Sequence, residues 1–104
     1  MRKVINGKVY DTEKATLVAF DRFGFPGDFN AWYEALYVTR KGNYFLYGEG
    51  GPKTRYGRMV STNTCGGGSD ITPLTPEEAF EWLEKHNVDV DVVRQYFSEK
   101  LEEA

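Results

Sequence analysis

The stretch Trp32-Tyr33-Glu34-Ala35-Leu36-Tyr37-Val38-Thr39, then Arg40-Lys41-Gly42-Asn43, then Tyr44-Phe45-Leu46-Tyr47, decides how the rest of this chain is read. Its first part alternates. Trp32, Glu34, Leu36 and Val38 fall on one side of an extended strand, and Tyr33, Ala35, Tyr37 and Thr39 on the other, the two-residue period of β-structure. Arg40–Asn43 has the composition of a turn, and Tyr44–Tyr47 returns as a second strand. The pattern predicts the central hairpin of an antiparallel sheet.

Working towards the N-terminus, Thr16–Phe20 is rich in β-formers and reads as a strand. Asp21–Asn30 holds Gly24, Pro26 and Gly27 and reads as a loop, unusual in also carrying Phe23, Phe25 and Phe29. Phenylalanines on a loop are costly unless they tuck inward or bind something. Further back, Val4-Ile5-Asn6-Gly7-Lys8-Val9-Tyr10 predicts a short hairpin, because Asn-Gly suits a turn in which both central residues need positive φ. Asp11 or Thr12 is placed to cap a brief helical turn through Ala15.

Towards the C-terminus, Gly48–Gly68 contains seven of the eleven glycines and Pro52. It reads as a long irregular excursion with one strand at Tyr56–Ser61; loops of this length in small domains are often functional. Ile71–Leu74 is expected to be a short edge strand, given Pro73. Thr75-Pro76-Glu77-Glu78 is a helix start, with Thr75 at the N-cap, Pro76 at N1 and Glu78 completing a capping box. Ala79, Phe80, Trp82 and Leu83 form its buried stripe, and Asn87 ends it. Asp89 or Asp91 caps a second helix with Val93, Tyr96, Phe97 and Leu101 on one face.

These elements predict an α+β domain over residues 1–104. Its sheet region is 1–74, an antiparallel sheet of about four to five strands, and its helical region is 75–104, two C-terminal helices packed on one face. The 104 residues, 40% hydrophobic and 28% charged, have ordinary globular composition. No apolar run is long enough to span a bilayer, and Met-Arg-Lys-Val-Ile-Asn lacks the apolar core of a signal peptide. Cys65, the single cysteine, excludes an internal disulfide and suits a reducing compartment. A cytoplasmic protein is expected. One cysteine and one histidine leave no ordinary structural zinc site, so no metal and no cofactor is expected.

Candidate chemistry is sparse. Cys65, with amides at Gly66–Gly68, would need His86 as its base, and a solvated helix-end histidine explains His86 equally well. Gly48-Glu49-Gly50-Gly51-Pro52-Lys53-Thr54 fails as a phosphate loop, because Pro52 stands where glycine is needed and no helix follows. Asp21, Asp28, Glu34 and Glu49 show no spacing that marks an acid–base pair and read as solvated surface charge.

Aromatic content is the outstanding feature: 16 of 104 residues are Phe, Tyr or Trp, ten of them between Phe20 and Tyr47. Tyrosine and arginine dominate interface hot spots. The residues Tyr33, Tyr37, Tyr44, Tyr47, Glu49, Lys53, Arg55, Tyr56 and Arg58 are therefore the expected partner-binding set, on the hairpin and the glycine-rich excursion. Residues 1–74 carry net +3 and residues 75–104 net −6, a mildly basic sheet followed by acidic helices.

Several motifs run together as Ile5-Asn6-Gly7-Lys8 … Tyr10-Asp11-Thr12-Glu13, Glu34-Ala35-Leu36-Tyr37, Gly42-Asn43-Tyr44-Phe45-Leu46 … Gly48-Glu49-Gly50-Gly51, Pro73-Leu74 and Glu78-Ala79 … Glu81-Trp82. In this pattern the chain resembles a family of small uncharacterised bacterial proteins, many from phages and other mobile elements. The resemblance carries no catalytic residue. It implies a host-directed small protein, of which inhibitors of bacterial defence systems such as anti-CRISPR proteins are typical.

The expected function is thus non-enzymatic binding of a macromolecule, foremost a protein. The second reading is a nucleic-acid binder that uses the aromatic hairpin with Arg55 and Arg58, although pI ≈ 5.1 and net charge −3 weaken it. The third is an enzyme centred on Cys65. No oligomeric state is legible.

Overall fold

In the computed structural model, which describes residues 1–61 and 64–104, the decisive stretch is a pair of neighbouring antiparallel strands. The elements in chain order are β1 (Arg2–Ile5), β2 (Lys8–Asp11), β3 (Thr16–Phe23), β4 (Trp32–Val38), β5 (Tyr44–Gly50), β6 (Arg58–Ser61), β7 (Thr64–Gly66), β8 (Gly68–Leu74), α1 (Pro76–Lys85) and α2 (Val90–Phe97). A single 3-10 turn, Ser98–Lys100, follows α2. The main sheet is antiparallel with order β3-β4-β5-β8, and β1-β2 and β6-β7 are separate two-stranded ribbons. The α+β class and the two C-terminal helices stand as expected.

The β4–β5 register runs from Trp32 opposite Gly50 to Val38 opposite Tyr44. It puts Leu36 and Leu46 side by side under the helices, where they meet Val18, Ala79, Trp82, Leu83, Val93 and Phe97 in the main core. On the reverse face, Tyr10, Phe45 and Ile71 form a second core with Ile5, Ala15, Tyr37 and Tyr47 packed against it. The β1–β2 ribbon supplies this cover. Its turn is the expected one, with Asn6 at φ 51° and Gly7 at φ 77°, where glycine's freedom at positive φ is needed.

Helix α1 starts as read: the Thr75 hydroxyl accepts from the Glu78 amide at 3.1 Å, and the Glu78 carboxylate accepts from the Thr75 amide at 2.9 Å. Asn87 at φ 53° ends it in the left-handed region. Asp89 caps α2 by accepting from the Asp91 amide at 2.8 Å. Among the described residues no helix is long and apolar enough to cross a membrane.

Four boundaries differ from expectation, one of them the start of β8, at Gly68 rather than Ile71. β3 runs on to Phe23, because β4 zips along it as far as Trp32 opposite Phe23. β5 continues through Gly48 to Gly50 because β8, starting at Gly68, pairs with it over that whole length. The strand read as Tyr56–Ser61 begins at Arg58. The predicted excursion therefore shrinks to an irregular segment at 51–57 and the β6–β7 ribbon, whose residues 62 and 63 lie outside the described residues. Gly48, Gly50 and Gly68 belong to strands that other chain segments approach too closely for a β-carbon.

Candidate functional site

The first candidate lies under the helices at the end of the sheet where β4 begins. Glu34 sits on the helix-facing side of β4 and is 7% exposed. Its carboxylate accepts from the Trp82 indole N–H at 3.0 Å and from the Tyr56 hydroxyl at 2.5 Å. The Arg55 guanidinium is 3.6 Å away, and His86 Nε2 is 3.7 Å away. The other ring nitrogen, Nδ1, lies 2.8 Å from Asp21 on β3. The imidazole is stacked on Trp82 at 4.2 Å between centroids and meets the Trp32 ring edge-on at 5.7 Å.

Local sequence explains how these groups meet. Trp82 and His86 are one helical turn apart, so they share the face of α1 that looks onto the sheet. Gly48 pairs with Glu34 across β4–β5, and a β-carbon at Gly48 would overlap the Tyr56 hydroxyl and ring. Only glycine lets the 51–57 segment fold back so that Tyr56 reaches the carboxylate. Burial, followed by the Glu34 carboxylate, pushes the Tyr56 phenol well above its ordinary range. The hydrogen bond from His86 holds the Asp21 carboxyl below its ordinary value against a smaller opposing effect of burial.

Chemically this is a network bonded mostly within the chain. Both His86 nitrogens face carboxylates, Glu34 has a donor on each oxygen, and among the described residues no buried side-chain polar atom lacks a hydrogen-bond partner. A general base needs a lone pair free to take a substrate proton; with Nδ1 donating to Asp21, that lone pair is on Nε2, whose nearest partner, Glu34, is 3.7 Å away and beyond hydrogen-bond distance. The cluster ties α1, β3, β4 and the 51–57 segment together. Among the described residues no group of His, Cys, Asp and Glu is arranged to hold a metal. Cys65 is exposed on β7, whereas His86 addresses Asp21 and Glu34.

The second candidate is the rim beyond this cluster. A cleft of about 980 Å³ opens where β3 ends, lined by Phe23, Phe25, Phe29, Trp32 and Tyr33, with Arg22, Asp28 and Glu49 among its charged members. Phe23 stacks on Trp32 at 6.3 Å and Phe20 packs beside Tyr33 at 6.0 Å. These phenylalanines do not tuck inward: Phe20 is 55% exposed, Phe23 56%, Phe25 81% and Phe29 60%. The loop that carries Phe25 and Phe29 is held by the glycine-rich segment, through Gly51 N–H to Ala31 O at 2.9 Å and Lys53 N–H to Phe29 O at 3.0 Å.

The expected partner-binding set is divided by the structure. Tyr33, Tyr37, Tyr47 and Glu49 lie on the reverse face, where Tyr37 stacks on Phe45 at 5.3 Å and the Tyr47 hydroxyl donates to Glu49 at 3.2 Å. Tyr44 is on the opposite side of the sheet, stacked on Phe97 of α2. Tyr56 is 3% exposed, so a partner does not reach it. Arg55 lies over the Tyr56 ring at 5.1 Å. Arg58 donates to the Tyr56 and Gly57 carbonyls at 3.1 Å. Lys53 is exposed on the segment.

Two readings of single residues are corrected. His86 is wedged between carboxylates with 11% of its side chain exposed, and Glu34 is buried. The signals were present. Glu34 shares its strand face with Trp32, Leu36 and Val38, and a carboxylate on an apolar face asks for buried partners; His86 is four residues from the buried Trp82.

Comparison with protein-family models, curated proteins and solved structures finds no match to this chain.

Proposed function

We propose that this chain is a small non-enzymatic cytoplasmic domain that binds another protein, and that the partner docks on the phenylalanine-rich rim of β3 and the loop after it. One observation carries the reading. Of ten large apolar side chains left exposed among the described residues, five are Leu17, Phe20, Phe23, Phe25 and Phe29, all on β3 or the following loop. Exposed large apolar side chains concentrated on one strand and its loop are unfavourable in water and mark contact sites. Covering one phenylalanine side chain is worth about 1.5–3 kcal/mol before the cost of association is subtracted.

A nucleic-acid partner is less well supported. Arg55 and Arg58 are engaged within the chain, and the cleft has two carboxylates, Asp28 and Glu49, against Arg22, which repels phosphate. The resemblance to proteins of phages and mobile elements makes a host protein, such as a component of a bacterial defence system, the partner class to screen first.

The test is affinity capture from a bacterial host lysate, with the native chain and a Phe25→Ser/Phe29→Ser variant side by side. A protein retained by the native chain and lost by the variant, at matching melting temperature, is the expected result. Equal retention by both, or retention of nucleic acid alone, overturns the reading.

A further inference from the structure

The main sheet has two edges, β3 and β8, and they are furnished differently. β8 carries Pro73, which offers no N–H to a neighbouring strand. Its Asp70 is tied to Lys3 at 2.6 Å and lies 3.9 Å from Arg58. β3 has neither proline nor lysine in its eight residues, Thr-Leu-Val-Ala-Phe-Asp-Arg-Phe; of the devices against edge pairing it has only the charges Asp21 and Arg22 and an irregularity near its start. It exposes Leu17, Phe20 and Phe23 instead. Its one register shift falls between Leu17 and Ala19, so the stretch from Ala19 to Phe23 is regular.

The hydrogen bonding of β3 shows which groups face outward. The Arg22 N–H donates to the Asp21 carboxylate at 2.8 Å, so it points away from β4. By the alternation of an antiparallel ladder, the N–H and C=O of Phe20 point outward too. Among the described residues neither bonds to any backbone group beyond the strand ladder. A pair of outward N–H and C=O groups on one residue is matched by one kind of ligand, another extended backbone.

We propose that β3 takes an extended segment of the partner protein as an added strand along 19–23, a proposal that rests on the docking reading above and specifies its geometry. The segment is apolar at alternating positions. Side chains on one of its faces meet Phe20 and Tyr33, and those on the other meet Phe23 and Trp32 at the mouth of the cleft. A second copy of this chain is a poorer occupant: twofold antiparallel pairing centred on Asp21 or on Arg22 sets like charges opposite each other, and pairing centred on Phe20 lays the register shift at Leu17–Ala19 against Asp21–Phe23.

The experiment pans a phage-displayed library of random linear peptides against the full chain and follows the selected peptides by hydrogen–deuterium exchange. Expected are peptides with alternating apolar residues that slow amide exchange within 19–23. Their affinity should fall about tenfold or more in Phe20→Lys and recover in Phe20→Leu. Peptides that protect only the 24–31 loop overturn strand addition and leave rim docking standing. Failure of the Phe25→Ser/Phe29→Ser variant to lose its protein partner overturns rim docking itself. A library that yields no binder overturns strand addition, and a concentration-dependent dimer protecting the same amides replaces the partner segment by a second copy.

Discussion

The two ends of the four-stranded sheet make different use of the same residue types. At the end where β4 gives way to β5, aromatic rings are consumed by packing: Tyr44 on Phe97, Tyr37 on Phe45, and Tyr10 edge-on to Phe45 at 5.4 Å. Helices cover one face there and the β1–β2 ribbon the other. At the opposite end one face is closed by a carboxylate–imidazole network and a folded-back loop, and the rim beside it is bare phenylalanine. Aromatic content by itself therefore does not mark a recognition surface. What marks it is the absence of a covering layer.

The comparison breaks most visibly at Trp82, which both fills the core and satisfies Glu34. Trp82→Ala is expected to cost about 3–5 kcal/mol in urea unfolding, with part of the loss arising from the Glu34 oxygen left without its indole donor. If Trp82→Phe, which keeps most of the ring volume, proved as damaging, the indole–Glu34 bond would be the dominant contribution. Gly48→Ala comes next. Its β-carbon displaces Tyr56 and is expected to cost roughly 1–3 kcal/mol, and Tyr56→Phe, which removes the other donor to Glu34, a comparable amount. Equal stability of Gly48→Ala and the native chain would show that the 51–57 segment is not anchored through Tyr56.

A smaller effect should appear with pH. The Asp21 carboxyl titrates lower folded than unfolded, where its ordinary value is 3.8. The unfolded chain thus binds the proton first as pH falls. The stability that Asp21 contributes is complete above its ordinary value and is lost as pH drops through the lowered one. Because 41% of that side chain is exposed, solvent screening keeps the contribution small. Unfolding of native and Asp21→Asn chains between pH 5 and pH 3 should give curves that converge towards the acid end. Parallel curves would detach Asp21 from the His86 network. Asp70 is lowered chiefly by its hydrogen bond from Lys3 and contributes with the same sign in both chains, so it does not confound the difference.

The smallest expected effect belongs to the bare end. Phe25→Ser should change stability by no more than about 0.5 kcal/mol, since the side chain is 81% exposed. A large drop in melting temperature would mean that the rim is packed in solution and would erase the contrast between the two ends.

The elements were legible because their signals are local. Alternation over 32–39, Asn6-Gly7, and the Thr75–Glu78 capping box each act within a few residues, and each stands where the sequence put it. Element ends were less legible, because strand length is set by the neighbour. β3 extends to Phe23 only since Trp32 lies beside it, and β8 begins at Gly68 only since β5 offers Gly50 as partner. The buried cluster left a faint trace, a carboxylate on the apolar side of β4 and a histidine in line with Trp82. That trace becomes readable only once strand face and helix face are known to meet.

From the sequence alone follow the α+β class, the helix caps, the hairpin turns and the concentration of aromatics, all consequences of backbone preference and short-range periodicity. Only the tertiary structure decided which aromatics are spent and which are free. Tyr56, 22 residues beyond Glu34 in the chain, is drawn inward to satisfy it, with Arg55 alongside at the surface, and Phe20, Phe23, Phe25 and Phe29 are left at the rim. The reason is coverage: a ring is buried when some other segment crosses over it, and which segments cross is a property of long-range pairing that no window of sequence contains.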